Sequence, residues 1–216
     1  MAKQAPRNMR EEILDASVPL FAMYGFEGVS MRFIAAAVGV TPAALYYHFS
    51  DKEQIYLDVV RHAFEGRIGP LKPLLDGGGE PWGRLEAFVA RLTHVLAKEE
   101  DFRRLMQWVM LDVDERRQQS LANCVFGDLF DALCKIAGEL APNQDAHLLV
   151  ISMIALVVYP FETRPVGRFL PGYQRQQEDP EAIARHVVGL LRNGLGASDE
   201  GKSQQRPVQG IRAEQT

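Results

Sequence analysis

The chain has 216 residues, 47% of them hydrophobic and 24% charged, and carries a net charge of −4. That length holds one mid-sized domain or a small domain joined to a larger one, and the composition is ordinary for a globular protein in water. The slightly acidic balance excludes a molecule that attracts nucleic acid over its whole surface, so any such contact has to be local.

Helical spacing dominates from the start. Ile13, Ala16, Leu20, Phe21 and Tyr24 follow the i, i+3, i+4 pattern of a first helix that ends at Gly25, with Pro19 expected to kink or loosen it. Ser30 is placed to cap a second, short helix, "MRFIAAAV", closed by Gly39. Thr41 then serves as N-cap and Pro42 as first helical residue of a brief third helix that stops near Phe49. Ser50 with Glu53 reads as a capping box opening a fourth helix through Ile55, Val59 and Val60. "GPLKPLLDGGGEPWG" after Arg67 is expected to be a loop or hinge. Further helices are predicted across Leu85–Lys98, Asp101–Leu111, Glu115–Leu140 and Asp145–Val158. A second Pro/Gly-rich loop, "YPFETRPVGRFLPGYQ", precedes a last helix from Pro180 through Ile183, Val187, Leu190 and Leu191. The fold class is all-α. Residues 1–50 form a three-helix unit and residues 51–195 a larger helical bundle, while residues 196–216 are polar enough to be a disordered tail.

The stretch "TPAALYYHFSDKEQI", residues 41–55, sets Tyr46, Tyr47 and His48 side by side. Neighbours on a helix point about 100° apart, so these rings cannot all enter one core. Second helix, Val-Gly-Val turn and third helix make a helix-turn-helix, whose second helix ordinarily lies in the DNA major groove. Leu45 and Phe49, four apart, fix the third helix on the core and leave Pro42, Ala43, Tyr46, Tyr47 and His48 outside. Tyrosine hydroxyls and imidazole nitrogens are suitable partners for phosphate oxygens.

Residues 13 to 60, with the ordered pattern "GF…S.R.IA..VGV…LYYHF.DKE", resemble the TetR family of bacterial transcriptional regulators. The resemblance implies an N-terminal helix-turn-helix domain and a C-terminal ligand-binding and dimerisation bundle, acting as a repressor on a double-stranded DNA operator. It implies that Ser30 bonds a phosphate and that Arg32 reaches a base or a phosphate. Pro42, Ala43 and Ala44 would lie where family members meet base edges, with Thr41 in the same DNA-binding set, Tyr46, Tyr47 and His48 would touch the backbone or nearby bases, and Lys52 would hold a phosphate. Met31 stands where Ser or Thr is common, still within the expected interface, and Phe33 where a charge is common. Ala43 and Ala44 can only press on thymine methyls, so Arg32 and His48 carry the polar base readout, helped by DNA shape. Residues 1–62 hold Lys3, Arg7, Arg10, Arg32, Lys52 and Arg61 against seven acids. A shallow salt dependence follows, with roughly four to eight counterions released per dimer.

In the bundle, "LLVISMIALVV" from Leu148 to Val158 is apolar on nearly every side and must be covered all round. With the last helix it is expected to form a homodimer interface, as the resemblance implies and as a two-fold operator requires. Phe102, Met106, Met110, Phe126, Phe130 and Met153 are the candidate ligand residues. Such stripes are more often plain core, but the resemblance implies a small-molecule inducer, and thioether walls suit an apolar or aromatic one. Arg164 and Arg168 are either solvated or aimed at an anionic head group. Cys124 and Cys134, ten residues apart on one predicted helix, are too distant to bridge; they read as small apolar residues or as a redox sensor.

No Gly-x-Ser-x-Gly elbow, phosphate-binding glycine loop, dinucleotide fingerprint or paired His ligands occur among His48, His62, His94, His147 and His186, so no catalytic or metal site and no cofactor is expected. The acidic runs "KEED" (98–101) and "DVDERR" (112–117) read as solvated helix starts. No secretory signal opens the sequence, and its most apolar run is too short for a bilayer, so the expected location is cytoplasmic with no membrane partner. The rival reading is a helical protein–protein adaptor without DNA binding, which leaves the Tyr-Tyr-His trio unused.

Overall fold

The computed structural model describes residues 8–196, which form twelve α-helical segments with no strand among the described residues. The arm with Lys3 and Arg7, and the expected tail beyond Gly196, lie outside the described residues. The leading unit is α1 (Met9–Tyr24), α2 (Met31–Val38) and α3 (Pro42–His48). Asn8 caps α1, and the helix runs on through Pro19 to Gly25, which stops it at φ +64°. Ile13, Leu14, Val18 and Phe21 bury one face of α1, which packs on α2 and on α4 (Lys52–Arg67). A dry apolar face is what holds such short helices, since isolated helices of seven or eight residues do not persist in water.

The start of α4 differs by one residue from expectation. Asp51, not Ser50, is its N-cap and accepts from Gln54 N at 2.8 Å, while Ser50 N donates back to Gln54 Oε1 at 2.7 Å. The ionised carboxylate is a better acceptor than the hydroxyl for backbone donors at a positive helix end. The expected loop after α4 is largely ordered. A 3₁₀ turn (Gly69–Leu71) and α5 (Lys72–Asp76) bury Leu71 and Leu75, with Pro70 and Pro73 in first-turn positions where no N–H is needed.

The bundle follows as α6 (Pro81–Lys98), α7 (Glu100–Met110), α8 (Glu115–Leu121), α9 (Gly127–Leu140), α10 (Ala146–Glu162), α11 (Arg164–Gly167) and α12 (Pro180–Gly196). The single helix expected over 115–140 is interrupted by a π turn at Ala122–Phe126. A Cβ at Gly127 would lie 3.2 Å from Ala122 O, which explains a glycine directly after that turn. α10 continues past Val158 because Val157 and Phe161, four apart, are both buried and carry the helix over Pro160. Leu85, Phe88 and Val89 of α6 pack against α10 and α12, which contribute Val150, Met153, Val157, Ile183, Val187 and Leu191. The opposite face of α10 is bare: Leu148, Ile151, Ala155 and Tyr159 are exposed, with Leu190 of α12. No helix among the described residues is long and apolar enough to cross a membrane.

Candidate nucleic-acid interface

The turn between α2 and α3 is closed by two backbone bonds, Val40 N to Ala35 O at 2.9 Å and Gly39 N to Ala36 O at 3.3 Å. Gly39 takes φ +78°, the left-handed conformation that lets the chain reverse without a Cβ penalty. At the heads of the two helices, Ser30 Oγ accepts from Phe33 N and Thr41 Oγ1 accepts from Ala44 N, each at 3.2 Å. Each hydroxyl therefore accepts from its own helix and keeps its proton to donate outward.

Leu45 and Phe49 are fully buried, and this anchors α3 so that the residues between them face out. Tyr46 is 54% and Tyr47 86% exposed; the half-buried His48 ring meets the Tyr47 ring edge-on with centroids 5.2 Å apart. Pro42, Ala43 and Ala44 are exposed, as is Arg32 on α2. Phe33, also outward, packs on Tyr24 at 5.5 Å, so an aromatic pair flanks Arg32 where a charge was the expected type.

Two expected contact residues sit differently. Met31 is only 8% exposed and packs in the core, because its position on α2 shares a face with Ile34 and Ala35. Lys52 is turned towards Phe26: its Nζ donates to Phe26 O at 3.0 Å, lies 4.0 Å from the centre of the Phe26 ring and is 3.8 Å from Glu27. Other cations counted from the sequence are also engaged, Arg10 with Asp58 at 2.6 Å and Arg61 with Asp58 at 3.4 Å.

Sequence reasoning did not find how the bundle grips this unit. The Trp108 indole N–H of α7 donates to Ala22 O at 3.1 Å, across 86 residues of sequence. A Cβ on Gly25 would come within 2.9 Å of the Trp108 ring. Beside it, Arg117 of α8 donates from Nε and Nη2 to the two Asp112 oxygens at 2.7 and 2.8 Å, and its guanidinium lies 4.1 Å from the centre of the Phe26 ring. The run "DVDERR" is a solvated helix start only in part: Asp114 caps α8 and Glu115 is exposed in its first turn, while Asp112 is buried against Arg117, whose hydrogen bonds hold the Asp112 carboxyl below the usual carboxylate range, and the same bonds raise Arg117. Tyr56 packs against Phe21 and Phe26 behind this junction, where burial first and Asp112 second push its phenol up to about 12. The available signal was Trp108 itself, since an indole that packs on protein needs an acceptor for its N–H.

The candidate ligand residues scatter. Phe102 and Met153 are buried core, Met106 is half-buried, Phe126 meets Phe64 edge-on at 5.1 Å and Phe130 lies against His147 at 4.9 Å. Met110 is 69% exposed, so the expectation that it faces an interior pocket is corrected; it occupies the outer face of an amphipathic α7. None of the six lines a cleft of about 200 Å³ between the end of α4 and the π turn, whose walls include Phe64, Ile68, Lys72, Cys124, Val125 and Leu129. Arg164 is tied to Glu178 through its main-chain oxygen at 2.8 Å, and Arg168 lies over Phe169.

Two short helices across a left-handed glycine, with hydroxyl and aromatic groups turned outward, define the class: a helix-turn-helix DNA-binding regulator. Residues 13–59 match the family model for bacterial regulatory proteins of the tetR family. Over 196 residues the chain is 31% identical to the HTH-type transcriptional regulator AcrR of Shigella flexneri, covering 90% of this chain and 82% of AcrR. The transcriptional regulator FadR of Bacillus subtilis, solved with stearoyl-CoA, has the same fold: the TM-score is 0.71 at 18% identity, over 85% of this chain and 97% of that one. AibR, solved with isovaleryl coenzyme A and operator DNA, gives a TM-score of 0.65 at 22% identity, over 85% and 97% of the two chains. The chain belongs to the TetR family of bacterial transcriptional regulators.

Proposed function

We propose that this protein is a cytoplasmic homodimeric repressor that leaves a palindromic operator when a small apolar or aromatic molecule enters its bundle. The observation that carries the DNA half is the outward Tyr46–Tyr47–His48 face of α3, held in place by the burial of Leu45 and Phe49. In this reading residues up to 50 meet DNA. Ser30 and Thr41 donate to phosphates, Tyr46, Tyr47 and His48 bracket the backbone, Arg32 and His48 read base edges, and Pro42, Ala43 and Ala44 press on thymine methyls. The bare stripe of α10 with Leu190 supports a partner copy across the two-fold axis, which would cover that helix all round. Residues 51–195 form the responsive part, and α4 is the element common to both.

The ligand half draws on the acyl-CoA complexes of FadR and AibR and on the aromatic and thioether character of the bundle. A ligand that favours the state with mis-spaced recognition helices lowers DNA affinity by its differential affinity for the two states. Half-sites lie about 34–36 Å apart, so a splay of a few ångströms is enough. A thermal-shift screen with acyl-CoAs, free fatty acids and planar aromatics tests this half. Stabilisation by one class, with release of bound DNA by the same compound, is the expected result. No shift from any of them would remove the apolar-ligand reading.

A further inference from the structure

One phenylalanine ring carries two cations from different helices. Lys52 Nζ lies 4.0 Å and the Arg117 guanidinium carbon 4.1 Å from the centre of the Phe26 ring. Lys52 opens α4 beside the recognition helix, whereas Arg117 belongs to α8 of the bundle. Resting on the reading of α2 and α3 as the DNA face, we infer that Phe26 and Arg117 are positioning residues that withhold Lys52 from DNA and put its release under the control of the bundle.

The hold on Lys52 has three parts. Its ammonium donates to Phe26 O at 3.0 Å, faces the Phe26 ring and is 3.8 Å from Glu27, and the side chain is only 27% exposed. Two of the three attractions come from Phe26, through its carbonyl and its ring. A compact ammonium held this way has to break these contacts to give its full charge to a phosphate.

The position of Phe26 is in turn set by the bundle. Arg117 does not swing freely: a two-pronged bond to Asp112 fixes its plane, Asp114 lies 3.5 Å from Nη1, and the guanidinium and Asp112 side chains are 11% and 6% exposed. Trp108, on α7 just before this pair, holds the preceding turn through Ala22 O. The residues of α7 and α8 thus bear as a unit on positions 22–26, four residues before Ser30 caps α2. The π turn that follows α8 directly supplies Cys124 and Val125 to the 200 Å³ cleft under α4. Loss of the Asp112–Arg117 clamp loosens Phe26 from α8. Lys52 then loses its ring and carbonyl partner together.

Counting phosphate contacts tests this without knowing the ligand. The probe is a genomic DNA fragment that the purified protein enriches, with affinity followed by fluorescence anisotropy across NaCl concentrations. Each phosphate neutralised contributes about −0.9 to the log–log slope, so freeing Lys52 in both protomers steepens it by about 1.8. Phe26→Leu keeps the apolar contact with Tyr56 and removes the ring. Asp112→Asn/Arg117→Gln removes the clamp without leaving a buried charge unpaired. Both variants are expected to steepen the slope by about 1.8, and adding Lys52→Met to either is expected to abolish the change. Lys52→Met alone is expected to leave the wild-type slope as it is. If Lys52→Met alone makes the slope shallower by about 1.8, the lysine already holds a phosphate and the inference is overturned. Steepening by Phe26→Leu but not by Asp112→Asn/Arg117→Gln overturns the control by the bundle. Retained binding with unchanged slopes in every variant overturns the inference alone, whereas no binding by the wild-type protein overturns the DNA-binding reading beneath it. Thermal melts of each variant separate loss of the clamp from loss of the fold.

Discussion

Gly25→Ala puts a methyl group where the structure has no room and no permissible backbone. Gly25 adopts φ +64° and ψ −175°, a region occupied almost solely by glycine. Holding an alanine there costs on the order of 1–3 kcal/mol. The new Cβ also lies 2.9 Å from Cδ2 and Cε3 of Trp108, a rigid ring that is itself bonded to Ala22 O. Overpacking of that kind adds roughly 1–3 kcal/mol. The sum, about 2–6 kcal/mol, is a large part of the roughly 5–15 kcal/mol that a domain commands. Urea unfolding of wild type, Gly25→Ala, Trp108→Ala and the double variant measures both parts. The double variant relieves the clash and keeps the backbone strain, so its loss is expected to fall short of the summed single losses by about 1 kcal/mol or more. A loss under about 0.5 kcal/mol for Gly25→Ala, or strict additivity, would refute the claim that Trp108 and this turn are packed as described.

With Arg10, Arg61 and Lys52 engaged inside the protein, operator binding is expected to show a log–log salt slope of roughly −4 to −7, and a slope steeper than about −12 contradicts that count. Ile151→Glu, on the bare stripe of α10, is expected to weaken self-association at least ~100-fold in sedimentation equilibrium, since it buries an uncompensated carboxylate twice per interface. A wild-type monomer, or a dimer indifferent to the change, speaks against that face. Asp51 is lowered by its bonds from Gln54 N and the Ser50 hydroxyl, and Asp112 by its bonds from Arg117. Depressed carboxylates stabilise the fold above their ordinary value of 3.8 and lose that contribution as pH falls through the folded value. Acid unfolding is therefore expected to steepen below about pH 4, and Asp51→Asn and Asp112→Asn/Arg117→Gln should each flatten that limb in a urea series. Equal acid limbs in all variants would contradict the assignment.

The helix-turn-helix was legible because its determinants are local. Thr41 and Pro42 start α3, Gly39 takes the left-handed turn, and Leu45 with Phe49 decides which side faces out. Each of these statements needs only four or five residues of context. The cap of α4 slipped by one place because Ser50 and Asp51 both qualify as acceptors, and only the ladder of bonds to Gln54 separates them. The junction was not legible at all. Trp108 meets Ala22 and Arg117 meets Phe26 over 86 and 91 residues of separation, so no spacing rule connects them. Lys52 shows the same limit at closer range. Its place at the head of α4 suggests a phosphate, while the carbonyl and ring that engage it belong to the turn after α1. The apolar character of α10 was plain from its composition, but which of its sides the chain itself covers required the packing of α6, α9 and α12.

The central claim is that the outward trio on α3 reads an operator. Its most direct test is enrichment of fragmented genomic DNA by the purified protein, run beside Tyr47→Ala/His48→Ala, both variants having first been checked for equal thermal stability. The account predicts a palindromic site enriched by the wild type and lost in the double variant, because these two side chains bracket the operator backbone and equal stability shows that the fold is kept. Equal enrichment of the same site by both proteins would contradict it.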